Sequence, residues 1–375
     1  MAFRFIHSSD LHLGKRFGQF TGDLPAKLRE ARHASIGKLA GHAMSQRAST
    51  ILLAGDTFDT ETPAPDVRRQ ALSEMGHHAP IRWVILPGNH DSLQAAQLWS
   101  TLRAEAPENV ILAVEPRPTE LAPDVILLPA PCTTRRPGRD LTEWMDEAPT
   151  PDGTIRIGLA HGAVQSFSEE GTGLDVISPD RARRAGLAYL ALGDWHGGVA
   201  IDPRTRYSGT PEPDRFKHDR PGEALLVELE GQWALPQVTA LETGSFAWRT
   251  VALDLFDGED ALARMETLLP EARLRRQALI TLMAGGRIRL EARAALASAI
   301  ANMRPDFAHL DFVDRNLATE CQAVDLDAID RAGALREAAE ALLAEADDAG
   351  RPAAERAIAQ AALARLYAYA QAVAP

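Results

Sequence analysis

Five short apolar runs between Phe3 and Leu192 each stop at an aspartate, asparagine or histidine, and this repeated ending constrains the fold more than any other feature of the chain. Phe3–His7 runs into Ser9-Asp10-Leu11-His12, and Thr50–Ala54 into Gly55-Asp56-Thr57-Phe58-Asp59. Arg82–Leu86 is followed by Gly88-Asn89-His90-Asp91, Thr154–Ala160 by His161-Gly162, and Leu187–Leu192 by Gly193-Asp194-Trp195-His196. The runs are the length of strands. Those early in the chain are separated by amphipathic segments that read as helices over Leu24–Arg47, Pro65–His77 and Leu93–Ala104. Alternation of this kind predicts an α/β fold whose strands are covered by helices. Polar residues just past strand ends would then gather at the carboxyl edge of a sheet, where ligand sites of such folds form.

Further strands are expected at Asn109–Val114 and Val125–Pro129, and a hairpin of Glu223–Leu229 and Gln232–Leu241 across Glu230-Gly231. The rhythm then changes. Strands at Trp248–Leu255, Gln277–Met283 and Ala308–Val313, with helices at Glu259–Leu268 and Leu290–Met303, predict a small second α/β domain. From Asp325 the chain is rich in alanine, with leucines at helical spacing and a break at Gly350-Arg351-Pro352, which predicts a helical hairpin or pair. The expected domains are therefore 1–245, 246–324 and 325–375 of the 375 residues.

Composition narrows the class of protein. Cys132 and Cys321 are the only cysteines, so neither a disulfide framework nor a cysteine metal site is expected. The chain opens Met-Ala-Phe-Arg-Phe-Ile-His, without the apolar run of a signal peptide, and no stretch is long enough to span a bilayer; a cytoplasmic location without membrane partners is the expectation. Basic residues number 40 against 52 acidic, a formal charge of −12. That total disfavours tight unaided binding to nucleic acid, whose affinity comes largely from cations displacing counterions, but it does not exclude a local basic patch.

The donor types at the five strand ends are carboxylate, amide and imidazole with no sulfur, a set suited to hard or borderline divalent ions. Two ions roughly 3.5–4 Å apart could clamp a phosphate and activate a water between them. In this order the five motifs resemble the calcineurin-like metallophosphoesterase superfamily, over about Phe3–Leu241. Within it the chain is most similar to the nuclease subunits of SbcCD-type DNA repair complexes. That closer likeness rests on Gly55-Asp56-Thr57-Phe58-Asp59-Thr60, on Tyr207-Ser208-Gly209-Thr210-Pro211-Glu212, and on the small α/β domain followed by helices.

The resemblance implies a four-layer α/β/β/α sandwich, a small α/β domain capping the active site, and terminal helices that dock on an SMC-like ATPase. It implies a metal-dependent exonuclease acting on DNA. Asp10, His12, Asp56 and His196 would hold one metal, and Asp56, Asn89, His161 and Asp194 the other, with Asp56 as the bridge. His90 would protonate the leaving oxygen or stabilise the phosphoryl charge, and Asp91 would orient His90 through its other ring nitrogen. Family members often form homodimers, though no dimer surface is legible in the sequence.

One position departs from the family. Its fifth motif is normally Gly-His-x-His, and Asp194 replaces the first histidine. The extra carboxylate makes the site less positive by one charge and shifts the expected metal toward oxygen-preferring Mn²⁺. Two rival functions stay open on this ground: a phosphodiesterase acting on nucleotides or other small molecules, and a weakly catalytic scaffold of the same fold.

Several residues carry blander expectations. His33 and His42 read as surface or packing residues of the long helix, and Trp195 as packing between ligand loops rather than a base-stacking platform. His218 lies in a polar loop from which it could approach substrate. Arg135-Arg136-Pro137-Gly138-Arg139 reads as a solvated loop by default, with contact to a phosphate backbone as the sharper alternative.

Overall fold

A computed structural model of the chain describes residues 2–165, 176–217, 219–321 and 323–373. His218 lies outside the described residues. The chain divides into two compact units, Met1–Ala247 and Trp248–Pro375.

In the first unit the strands are β1 (Phe3–Ser8), β2 (Thr50–Leu53), β3 (Arg82–Ile85), β4 (Val110–Leu112), β5 (Thr119–Ala122), β6 (Val125–Ala130), β7 (Ile155–His161), β8 (Tyr189–Gly193), β9 (Val199–Ala200), β10 (Thr205–Tyr207), β11 (Glu223–Leu229) and β12 (Gln237–Glu242). The helices are α1 (Leu24–Ser45), α2 (Pro65–His77), α3 (Ala96–Glu105) and the single turn α4 (Arg181–Arg184). The strands form two six-stranded sheets, in the orders β12-β11-β1-β2-β3-β4 and β5-β6-β7-β8-β10-β9. Within them β1, β2, β3 and β4 run parallel, as do β6, β7, β8 and β10.

The layering follows from the two-residue period of a strand, which sends successive side chains to opposite faces. Ile6, Ile51, Leu53, Trp83 and Ile85 pack outward with Ile36, Leu39, Leu72, Met75 and Leu102 of α1, α2 and α3. Their neighbours Phe5, Leu52 and Val84 face the other way and meet Leu127, Ile157, Leu159, Tyr189 and Ala191 of the second sheet. On that sheet's far side Leu128, Ala160, Leu190 and Leu192 pack with Met145, Ala182 and Leu187. Three apolar seams thus separate four layers, which makes the unit an α/β/β/α sandwich. Both sheets direct the carboxyl ends of β1, β2, β3, β7 and β8 into the loops that carry the five polar motifs.

In the second unit β13 (Ala247–Leu255), β14 (Ala278–Arg289) and β15 (His309–Glu320) form one sheet, packed through Leu253, Ile280, Leu282 and Leu310 on α5 (Ala261–Leu268) and α6 (Leu290–Met303). Helices α7 (Ala323–Ile329), α8 (Ala334–Asp347) and α9 (Ala353–Val373) follow. Leu326, Ile329, Ala339, Leu363 and Tyr367 close a core of their own against Leu290 and Ala294 of α6.

The departures from the expected elements have local causes. The third helix starts at Ala96 rather than Leu93, because the Leu93 amide donates to the Cys132 carbonyl at 2.9 Å and the chain turns through Ser92–Ala95 before winding. The expected strand at Gln232 begins at Gln237, since the Gln232 side chain bonds the Arg156 amide and the Gly186 carbonyl instead. Strands β14 and β15 each run well past the expected ends, with a register shift between Met283 and Gly285. Three terminal helices stand in place of a pair because Gly333, at φ 133°, breaks the chain ahead of α8. Among the described residues no helix is long and apolar enough to cross a membrane.

Candidate metal centre

The ligand loops are built on strained backbone. Asp10, His12, Asp56 and Asp194 all have positive φ, at 55°, 41°, 52° and 100°. This region costs a residue with a side chain on the order of 1–3 kcal/mol, and it persists where surrounding contacts dictate it. Those contacts are visible: the Asp10 amide donates to Gly55 O at 3.1 Å, and the His12 amide to Asp56 O at 2.9 Å, so the first two loops are laced together. Gly88 and Gly193 are required by crowding. A Cβ on Gly88 would overlap Asp56, and one on Gly193 would overlap the Ala54 carbonyl and crowd His161.

The loops bring together all seven expected ligands. His12 Nε2 lies 3.6 Å from Asp56 Oδ2 and 3.9 Å from Asp10 Oδ1, and His196 Nε2 lies 3.8 Å from the same Asp10 oxygen. On the other side His161 Nε2 is 3.5 Å from Asp56 Oδ2 and 3.8 Å from Asp194 Oδ1. Asn89 Nδ2 donates to Asp194 Oδ1 at 3.1 Å. Three overlapping clusters could each seat an ion: Asp10–His12–His196, Asp10–Asp56–His161 and His12–Asp56–His90. Asp10 as well as Asp56 therefore stands between the two sides. Asp194 belongs to none of the three, and its amide is turned onto the Asp10 carboxylate at 3.1 Å.

His12 and His161 each present one nitrogen inward because the other is already engaged, whereas both ring nitrogens of His196 also face Arg215 Nη2, at 3.1 and 3.0 Å. Nδ1 of His12 pairs with Asp59 Oδ1 at 3.1 Å, that of His196 with Asp214 Oδ1 at 2.9 Å, and that of His161 with Ala54 O at 2.8 Å. This is the usual outer support that fixes the tautomer and orientation of a metal-binding imidazole. The inward atoms are then left over: His12 Nε2, His161 Nε2 and Asn89 Oδ1 are buried without a hydrogen-bond partner. Buried polar atoms are almost always satisfied. Three orphaned donor atoms converging on buried carboxylates fit a pair of divalent ions, and they are the test that the residues present can hold them.

Electrostatics differ between the two sides. Burial holds the His12 imidazole well below its ordinary value, which favours the neutral form that ligates. Burial also lowers His161, but Asp56, Asp10 and Asp194 outweigh it and push that imidazole up to about 9. Without an ion, the proton on His161 is the counter-charge for the carboxylates. Asp214 is held well below the carboxylate range: burial opposes this, and His196, Arg32 and Lys15 overcome it.

One expected contact is corrected. Asp91 does not reach the His90 ring; it is fully buried and accepts from Gly88 N at 2.7 Å and Phe58 N at 3.0 Å, bracing two ligand loops. His90 Nδ1 bonds the Asp59 carbonyl instead, at 2.9 Å, and its amide donates to Asp56 Oδ1 at 2.8 Å. The ring is held by a backbone carbonyl from a neighbouring loop because both Asp91 oxygens are taken by backbone amides. Trp195 packs partly buried on the outer seam, with Lys217 Nζ 4.9 Å from its ring centre.

Sequence reasoning missed Asp59 and Asp214. Asp59 stands inside a quoted motif, and Asp214 two residues beyond the Tyr207–Glu212 stretch; the signal to be found was an acid near each ligand loop without a ligand role. Asp214→Asn should weaken metal affinity by roughly 10–100-fold, the usual effect of removing such a support. Competition against a chelator would measure it, and an unchanged affinity would show that His196 needs no such support.

A family model described as calcineurin-like phosphoesterase matches residues 3–222. A subunit of the nuclease SbcCD from Rhodobacter capsulatus is 24% identical over 266 residues, 56% of this chain and 62% of that protein. The protein of the same name from Escherichia coli K12 is 36% identical over 97 residues, covering 24% and 22%. The uncharacterized metallophosphoesterase YhaO of Bacillus subtilis is 28% identical over 243 residues, covering 60% and 57%. The chain thus spans less than two thirds of the length of these relatives. The strand-end motifs, the sandwich that assembles them and a family match over more than half the chain agree: this chain belongs to the calcineurin-like phosphoesterases.

Proposed function

We propose that the chain hydrolyses DNA phosphodiester bonds as a nuclease subunit. The observation that supports this most is the convergence of seven donor residues with three orphaned inward atoms, combined with relatives named as subunits of the nuclease SbcCD. Asp10, His12, Asp56 and His196 would hold one ion, and Asp56, Asn89, His161 and Asp194 the other, with manganese suited to the oxygen-rich second set. Divalent ions there supply charge for a phosphoryl group and lower the pKa of a water.

The protein's own groups do the rest. Asp56 is positioned to serve both sides. His90, fixed by the Asp59 carbonyl and its own amide bond to Asp56, has its remaining nitrogen free to give a proton to the departing sugar oxygen. On the family resemblance, α7–α9 offer a face to an ATPase partner; Ile358 and Tyr369 of α9 are exposed at 69% and 68%.

The test is cleavage of single- and double-stranded DNA beside a generic aryl phosphodiester, each with manganese. Turnover of all three supports the nuclease reading. Hydrolysis of the aryl ester with neither DNA cleaved would move the substrate to small molecules, a reading that the formal charge of −12 favours.

A further inference from the structure

An acidic chain that acts on a polyanion needs a local cationic surface, and the loop of residues 133–139 supplies one. It carries Arg135, Arg136 and Arg139, all exposed. Among the described residues none of the three makes an ion pair or a side-chain hydrogen bond, unlike most arginines of this unit. The nearest acid in sequence, Asp140, is already committed elsewhere. Its side chain is 8% exposed, and its oxygens bind Arg181 Nη2 at 2.8 Å and the Thr142 amide at 2.8 Å.

Both ends of the loop are tied down. Asp140 fixes the far end. At the near end Cys132 donates its amide to Pro87 O at 3.1 Å, accepts from Leu93 N at 2.9 Å, and directs its thiol to the His161 carbonyl at 3.5 Å. The root of the loop is therefore wedged between the segment bearing Asn89 and His90 and the strand end bearing His161. Arg135 follows Cys132 by three residues, so its Cα lies no more than about 11 Å from that root. The cations consequently follow the carboxyl end of β6, the sheet edge from which the His161 motif also emerges.

We propose that Arg135, Arg136 and Arg139 bind the phosphate backbone of the polynucleotide strand that enters the metal centre. The inference rests on the nuclease reading and adds the element that grips the strand. Phosphates follow one another about every 3.4 Å of helix axis along one strand, so side chains at this reach meet phosphates a few nucleotides from the one being hydrolysed. Contacts of this sort carry no sequence preference.

The experiment compares the full chain with R135Q/R136Q/R139Q, measuring equilibrium binding of a phosphorothioate-linked oligonucleotide, with manganese, across a range of salt. Thermal unfolding and metal stoichiometry confirm that the variant is folded. If all three arginines meet phosphates, the slope of log affinity against log salt becomes shallower by about 2.7 on a duplex and about 2.1 on a single strand. Arg136→Gln alone should remove about a third of that. An unchanged slope in the triple variant, with DNA still cleaved by the unaltered chain, overturns this inference and leaves the nuclease reading standing. Absence of salt-dependent binding by the unaltered chain overturns both.

Discussion

Asp56→Asn should lower turnover by roughly 10²–10³-fold, the scale lost when one group that stabilises a transition state is deleted, and should lower metal content at both positions together. Asp56 Oδ2 faces His12 on one side and His161 on the other, at 3.6 and 3.5 Å, while Oδ1 is occupied by the His90 amide. The amide side chain can keep the bond to His90 with its oxygen, but then its nitrogen, which has no lone pair to give, points at the metal positions. The metal-free protein should remain folded: the neutral amide removes a buried carboxyl that burial pushes well above its ordinary value, although it also removes one counter-charge to His161. Metal analysis, turnover and melting in chelator test the three parts separately. Two retained metals with a near-normal rate would take Asp56 out of the bridge.

His90→Ala should separate chemistry from metal binding. Loss of a general acid costs roughly 10²–10⁴-fold in turnover, and the deficit should shrink on a nitrophenyl ester, whose leaving group needs no proton. The arrangement carries a built-in alternative, because His90 also forms a cluster with His12 and Asp56 that could seat an ion. Metal stoichiometry decides between the roles. Unchanged metal content with a leaving-group-dependent deficit identifies an acid. A lost metal with equal deficits on both substrates identifies a ligand.

The architecture was legible because the sandwich needs each strand to be apolar on both faces, and uninterrupted apolar runs such as Thr50–Leu53 and Tyr189–Gly193 announce themselves. The shortest strands do not. Thr119–Ala122 and Val199–Ala200 at the two edges of the second sheet, and Thr205–Tyr207 next to one of them, are two to four residues long, which leaves no periodicity to read. At the site, the inward-facing groups could be named because their types and order are chemically restrictive. The supports could not. Asp59, Asp91 and Asp214 are all acids near ligand loops, and only the fold decides that Asp59 and Asp214 reach imidazoles while Asp91 is consumed by two amides. The fully buried Arg32 is a similar case: its guanidinium donates to the Asp10, Leu11 and Glu212 carbonyls, a use that a position in the middle of a long helix does not suggest.

The strand order also has a consequence for how such a protein is made. β1 lies between β2, which follows it closely in the chain, and β11, which is more than two hundred residues away. Asp10 leaves the ribosome early, yet His196, its supporting Asp214 and the Glu212 carbonyl that anchors Arg32 emerge only near the end of the first unit. At about 5–20 residues per second, the interval is on the order of 10–40 s. Through that time the His12 and His196 side lacks its late-arriving imidazole and the acid that supports it. The Asp10–His12–His196 cluster is in this way reserved for a finished domain, and a prematurely terminated product would be unable to hold an ion there.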